Sequence, residues 1–138
     1  MRILLDTCVV MDWFTDPDTF DDGVWDILND PQNHLYISAE TQRELIVSFN
    51  NKNLLSKYWK TAEEMLMCIQ HEAVIDTLPL SEATMFTYSR LRLNEAMDHR
   101  DPSDHVIISH AITEHLTLLS SDQKFAFYRD QGLELIEY

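Results

Sequence analysis

Glycine is almost missing from this chain: Gly23 and Gly132 are the only two in 138 residues, and proline adds only four. That scarcity excludes a low-complexity polymer and argues against a loop-rich all-β fold, which needs many turn residues. Two isolated glycines build no Gly-rich phosphate loop. Cys8 and Cys68 are too few for a disulfide framework, so a reducing, intracellular setting is expected. No apolar run approaches the roughly 20 residues that a membrane-spanning helix needs. The opening run Met1-Arg2-Ile3-Leu4-Leu5 meets Asp6 too early for a signal peptide. A soluble, cytoplasmic chain without membrane contact is expected.

Basic charge is the other shortage. No Lys or Arg lies between Arg2 and Arg43, an interval holding nine acids, and the net charge is −14. A nucleic-acid binder usually carries a basic footprint, so this balance counts against one. Screening over roughly 8 Å confines the repulsion, leaving Lys52, Lys57 and Lys60, or Arg90, Arg92 and Arg100, as local groups able to hold a phosphate chain.

What is present is apolar content, 45% of the residues, in a length suited to one domain spanning residues 1–138. Arg2–Leu5 reads as a buried strand closed by Asp6, followed by two short helices broken near Asp16-Pro17-Asp18. Leu35-Tyr36-Ile37 reads as a second strand, with Ser38 capping a helix to Phe49 and a turn at Asn50–Asn53. A long helix is expected over Leu54–His71, then a strand at Ala73-Val74-Ile75. Ser81 caps a helix expected to reach Met97. Asp101 as N-cap and Pro102 at the first helical position open another helix, with Asp104 in its first turn. Leu116–Ser120 reads as a strand ending at Ser121-Asp122, followed by a helical turn near Phe125–Tyr128 and a last strand at Leu133–Ile136. Strands alternating with amphipathic helices predict a three-layer α/β/α architecture with a mostly parallel sheet of four to five strands.

In such sheets, sites form beyond the carboxyl ends of the strands. Asp6 and Asp122 directly follow apolar strands, Asp104 opens a helix on that side, and Glu44 lies early in the helix after the second strand. Taken singly, Asp104 reads as an acid on the helix dipole, Asp122 as a turn residue and Glu44 as a solvated helix acid. Asp6, closing a buried strand, needs a partner. Together, four acids at one rim would raise one another's pKa unless a divalent cation joined them. Mg²⁺ or Mn²⁺, which take oxygen ligands, would do so, and a carboxylate-only site for a hard cation suits phosphoryl chemistry.

These residues also carry a family resemblance. Leu4-Leu5-Asp6-Thr7-Cys8-Val9-Val10 resembles the opening motif of PIN-domain proteins, and Arg43-Glu44-Leu45 resembles their second. Asp101-Pro102-Ser103-Asp104 with the apolar helix behind it is similar to the third, and Leu118-Leu119-Ser120-Ser121-Asp122 with Phe125 to the fourth. The resemblance implies a PIN-like fold and a Mg²⁺- or Mn²⁺-dependent endoribonuclease with Asp6, Glu44, Asp104 and Asp122 as metal-binding catalytic acids. Thr7 and Ser120 would orient carboxylates or metal waters, and Asp101 stands as a rival to Asp104. Compact members of the VapC type are toxins restrained by an antitoxin, and they commonly form homodimers. A PIN-fold binding or scaffold protein without catalysis is the alternative. Cys8 stands where the family often has asparagine.

Other chemistries fit less well. His105, His110 and His115 are spaced by five, which does not place them on one helix face for zinc, and no HExxH or CxxC pattern accompanies them. A phosphoaspartate hydrolase of the haloacid-dehalogenase kind needs an acid where Cys8 stands, and a receiver domain needs an acidic pair after the first strand. Trp13, Phe14, Trp25, Tyr58 and Trp59 recur at helical intervals, which favours core or dimer contacts over base stacking.

Overall fold

The apolar run Ile3-Leu4-Leu5 becomes the central strand of a five-stranded sheet in the computed structural model, which describes residues 1–52 and 54–138. The strands β1 (Arg2–Leu5), β2 (His34–Ser38), β3 (Asp76–Leu78), β4 (Thr117–Ser120) and β5 (Glu134–Glu137) lie in the order β3-β2-β1-β4-β5. Every pairing is parallel. Strands buried on both faces read as continuous apolar runs, as β1 and β4 do.

Period-two alternation divides the core into two layers. Ile3 and Leu5 of β1, with Leu119 of β4, face a cluster that includes Val9, Leu45 and Met65. Leu4 and Leu118 face the other way, onto Ile107, Ile108, Phe125 and Tyr128. The first layer is supplied by α1 (Thr7–Thr15), α2 (Asp22–Asn29), α3 (Ala39–Asn50) and α4 (Ala62–His71). The second is supplied by α6 (Pro102–Glu114) and a 3-10 segment, Gln123–Gln131, while α5 (Glu82–Arg90) packs on α6. Helices on both faces of a parallel sheet make the expected three-layer arrangement. Each fully buried Leu or Ile stabilises it by about 1.5–3 kcal/mol, so a polar group in these layers needs a specific partner.

Three sequence expectations change. The long helix over Leu54–His71 is instead a 3-10 turn, Leu54–Lys57, followed by α4. Thr61 restarts the chain: its side chain caps α4 by accepting from Glu64 N, while the Glu64 side chain reaches back to accept from Lys60 N, just ahead of the cap. The strand at Ala73–Ile75 shifts to β3, because Val74 takes a left-handed conformation (φ 55°) as α4 ends. The helix expected to reach Met97 stops at Arg90. There the backbone of Arg92 exchanges hydrogen bonds with the Gln131 side chain, and Asn94 N donates to Tyr128 Oη, so tertiary partners replace helical ones. Of the expected turn at Asn50–Asn53, Asn53 lies outside the described residues, and Lys52 N donates back to Phe49 O at 3.0 Å.

No helix among the described residues is long and apolar enough to cross a membrane.

Candidate metal centre

Strand order reverses around β1, with β2 on one side and β4 on the other, so the crevice beyond their carboxyl ends is the natural binding position. Asp6 occupies it. The register Leu5↔Leu119 continues into a bond from Asp6 N to Leu119 O at 3.1 Å, after which Asp6 caps α1 by accepting from Thr7 N at 2.8 Å. The second carboxylate oxygen accepts from Ser120 Oγ at 2.7 Å and Cys8 Sγ at 3.2 Å. With 4% of its surface exposed, Asp6 has its pKa raised by burial, against the opposing effect of these hydrogen bonds.

Two hydroxyls extend the site from Asp6. Ser120 Oγ, besides donating to Asp6, accepts from Asp122 N at 3.1 Å, and so ties the ends of β1 and β4 together. Asp122 in turn caps the 3-10 segment by accepting from Lys124 N at 2.9 Å. On the other side, Thr7 Oγ1 donates to Glu44 Oε1 at 2.6 Å. Burial raises the Glu44 pKa first, and the charges of Asp101, Asp6 and Glu40 add to it.

Asp104 completes the cluster from the first turn of α6. Burial, then the charges of Asp6, Asp101, Asp122 and Glu44, push its carboxyl up to about 8. A carboxylate oxygen of Asp104 lies within 4.8 Å of one of Asp122, which Ser120 links to Asp6, and Thr7 next to Asp6 holds Glu44, so the structure brings Asp6, Glu44, Asp104 and Asp122 to one rim. Asp101, expected as a rival to Asp104, caps α6 through Ser103 N at 2.9 Å and contributes charge. Beside the acids, Arg43 of α3 donates to Ser103 Oγ at 2.7 Å, and Ser103 donates to Glu40 Oε1 at 2.6 Å, latching α3 to the start of α6.

His99, in the polar connection ahead of α6, was not among the expected site residues. It is buried, its Nε2 lies 2.9 Å from Asp104 Oδ2, and a ring nitrogen of His99 and carboxylate oxygens of Asp104 and Asp122 fall within 4.8 Å of one another. A lone histidine in a polar connection carries no periodicity that could have flagged it. The histidines considered for zinc separate: His105 packs on His99 with ring centroids 4.6 Å apart, His110 Nδ1 meets Ser38 Oγ at 2.9 Å, and His115 is exposed at the end of α6. Burial and the Asp6 charge push the Cys8 thiol up to about 12, so it serves Asp6 as a donor and is no nucleophile near neutrality. Trp13 packs edge-on to Trp25, and Phe14 to Trp59, against the first core layer. Of the basic groups, Arg92 pairs with Asp130 and Arg100 with Asp98.

Comparison with known proteins agrees with this fold. A family model for the PIN domain matches residues 3–130, and the chain belongs to that family. No curated protein matches the sequence. Among solved structures, the chain is similar to VapBC2 from Rickettsia felis bound to a DNA fragment from their promoter, at 22% identity and TM-score 0.73 over 99% of this chain and 98% of that one. It is similar to VapBC-1 from nontypeable Haemophilus influenzae at 20% identity and TM-score 0.69, over 99% and 98%. VapBC-5 from Mycobacterium tuberculosis, a member of the VapBC family of toxin-antitoxin systems, aligns at 21% identity and TM-score 0.63, over 99% and 98%.

Proposed function

We propose that this PIN-domain chain is a divalent-metal-dependent endoribonuclease that hydrolyses RNA phosphodiester bonds, and that it is the toxin of a toxin–antitoxin pair. The observation that carries the reading is the convergence of acids at one end of the sheet: Ser120 joins Asp6 to Asp122, Thr7 holds Glu44, and Asp104 lies within 4.8 Å of Asp122, where burial and the acids around it push its carboxyl up to about 8. Each unit of such a shift is about 1.4 kcal/mol of unfavourable charging, so the cluster opposes its own ionisation. A hard dication relieves that conflict, and a set of carboxylate oxygens suits Mg²⁺ or Mn²⁺. Asp6, Glu44, Asp104 and Asp122 would hold it. When bound, the cation would lower the pKa of an attacking water and offset charge on the phosphodiester.

The remaining chemistry belongs to the chain itself. Ser120 and Thr7 fix the directions of Asp6 and Glu44, and Cys8, where the family often has asparagine, supplies Asp6 with a thiol donor. Arg43, with 58% of its side chain exposed, sets a guanidinium beside the acids where a phosphate oxygen would approach. The VapBC neighbours support an antitoxin partner. Exposed Phe86, Leu93 and Met97, at and after α5, support a homodimer.

Incubating the protein with RNA and Mn²⁺ is expected to give cleavage that EDTA abolishes and Asp6→Asn nearly eliminates. Retained Mn²⁺ binding without cleavage across varied single-stranded and structured RNAs would instead point to a PIN-fold binding module.

A further inference from the structure

We propose that His99 is a positioning residue for Asp104 rather than a metal ligand, held as the Nε2–H tautomer by Tyr128. The inference rests on the metal-centre reading above and assigns a role within it to a residue outside the carboxylate set.

The tautomer follows from counting donors and acceptors. Tyr128 is fully buried, and among the described residues its Oη has two hydrogen-bond partners: Asn94 N at 3.1 Å and His99 Nδ1 at 3.0 Å. The Asn94 N–H can only donate, so it uses a lone pair of the phenol. The phenol's own proton then has Nδ1 as its acceptor. Were Nδ1 protonated instead, the buried hydroxyl proton would lack an acceptor, which is penalised. With Asp104 ionised, as it would be around a bound cation, the Nε2 lone pair would also face a carboxylate oxygen at 2.9 Å, acceptor against acceptor. With Nδ1 accepting, Nε2 carries the proton and donates to Asp104 Oδ2.

Every member of this relay is anchored. Asn94 Nδ2 donates to Lys124 O at 3.1 Å, and Asn94 Oδ1 accepts from Met97 N at 3.3 Å. The His99 ring stacks on Phe125 at 5.6 Å with 29° between planes and meets His105 edge-on. A protonated Nε2 cannot ligate a cation, although His99 belongs to the same 4.8 Å group as Asp104 and Asp122. It instead occupies Oδ2, turns Asp104 toward the cluster and leaves Oδ1 open to the cation. The segment Leu91–Met97, which leaves the helix path after α5, has a purpose in this scheme: it delivers the Asn94 N–H that polarises Tyr128.

Mn²⁺ titration calorimetry of the full chain tests the role. His99→Ala is expected to weaken Mn²⁺ binding about 10–100-fold, the usual loss when an outer hydrogen-bond partner is removed. His99→Gln, whose side-chain amide can donate to Oδ2, is expected to recover much of that loss, which a merely space-filling role would not predict. Spin-echo modulation spectra of the Mn²⁺-loaded wild type are expected to lack a directly coordinated nitrogen. Long-range proton–nitrogen spectra of the Mg²⁺-loaded protein are expected to report His99 protonated at Nε2. A coordinated nitrogen, a proton on Nδ1, or unchanged affinity in folded His99→Ala would overturn the assignment while leaving the metal centre in place. Wild-type protein that binds no Mn²⁺ would overturn the metal centre itself.

Discussion

Replacing Asp104 by asparagine is expected to stabilise the metal-free protein while damaging its affinity for metal. A rise from 3.8 to about 8 is roughly 4 units, or at most ~6 kcal/mol at ~1.4 kcal/mol per unit. With 18% of the side chain exposed, solvent screening reduces this, and about 3 kcal/mol is the working magnitude. The folded pKa lies above the unfolded one, so the folded state binds the extra proton, and stability falls as pH rises from about 4 to about 8. Asparagine never ionises and still offers His99 an acceptor. The two proteins should therefore melt together near pH 4 and diverge toward pH 9. For a chain of this size, about 3 kcal/mol corresponds to roughly 10 °C.

Thermal melts in EDTA at pH 4, 7 and 9, repeated with saturating Mn²⁺, measure both halves. Ligand binding adds RT ln(1 + [L]/Kd) to the wild type, about 4 kcal/mol at 1,000-fold excess over Kd, and much less to the variant. The stability order should close or reverse when metal is added. Metal-free Asp104→Asn melting at or below the wild type at pH 9 would refute the reasoning, because burial and the surrounding charges would then not be opposing the ionised Asp104.

Ser120→Ala removes the hydroxyl that donates to Asp6 and accepts from Asp122 N; a loss of about 1–3 kcal/mol is expected in denaturant titration, with roughly 10-fold weaker Mn²⁺ binding. Val74→Gly should raise the melting temperature by a few degrees. It relieves roughly 1–2 kcal/mol from a β-branched residue at φ 55°, and with 72% of Val74 exposed little packing is lost. Thr61→Ala, by removing the cap of α4, should cost about 1 kcal/mol by the same melts; no change would mean that tertiary contacts alone start that helix.

The sheet was legible in the sequence where one residue type spoke for both layers. Ile3-Leu4-Leu5 and Leu118-Leu119 are apolar without interruption because each face of a central parallel strand meets a helix layer. The caps at Ser38, Ser81 and Asp101 were legible because the motif and its hydrogen bond lie within a few residues. Illegible were features decided across the fold. The end of α5 depends on Gln131 and Tyr128, and the left-handed turn at Val74 contradicts the preference of its own side chain.

The candidate site divides along the same line. Acids that end strands announce themselves, because an isolated carboxylate has no packing reason to follow an apolar run into the interior. Their hydrogen-bond partners do not: His99 reaches Asp104 only because Tyr128 and Asn94, on other segments, hold the ring in place. A fold optimised for stability alone would have replaced Asp104 with a neutral residue, since burial among four other acids opposes its charge. Keeping both the acid and a buried imidazole aimed at it makes sense when the carboxylate has to be ionised and correctly turned at the moment a cation arrives. The destabilised apo state is then the physical counterpart of affinity for metal, since the repulsion that weakens the empty cluster is what a bound dication removes.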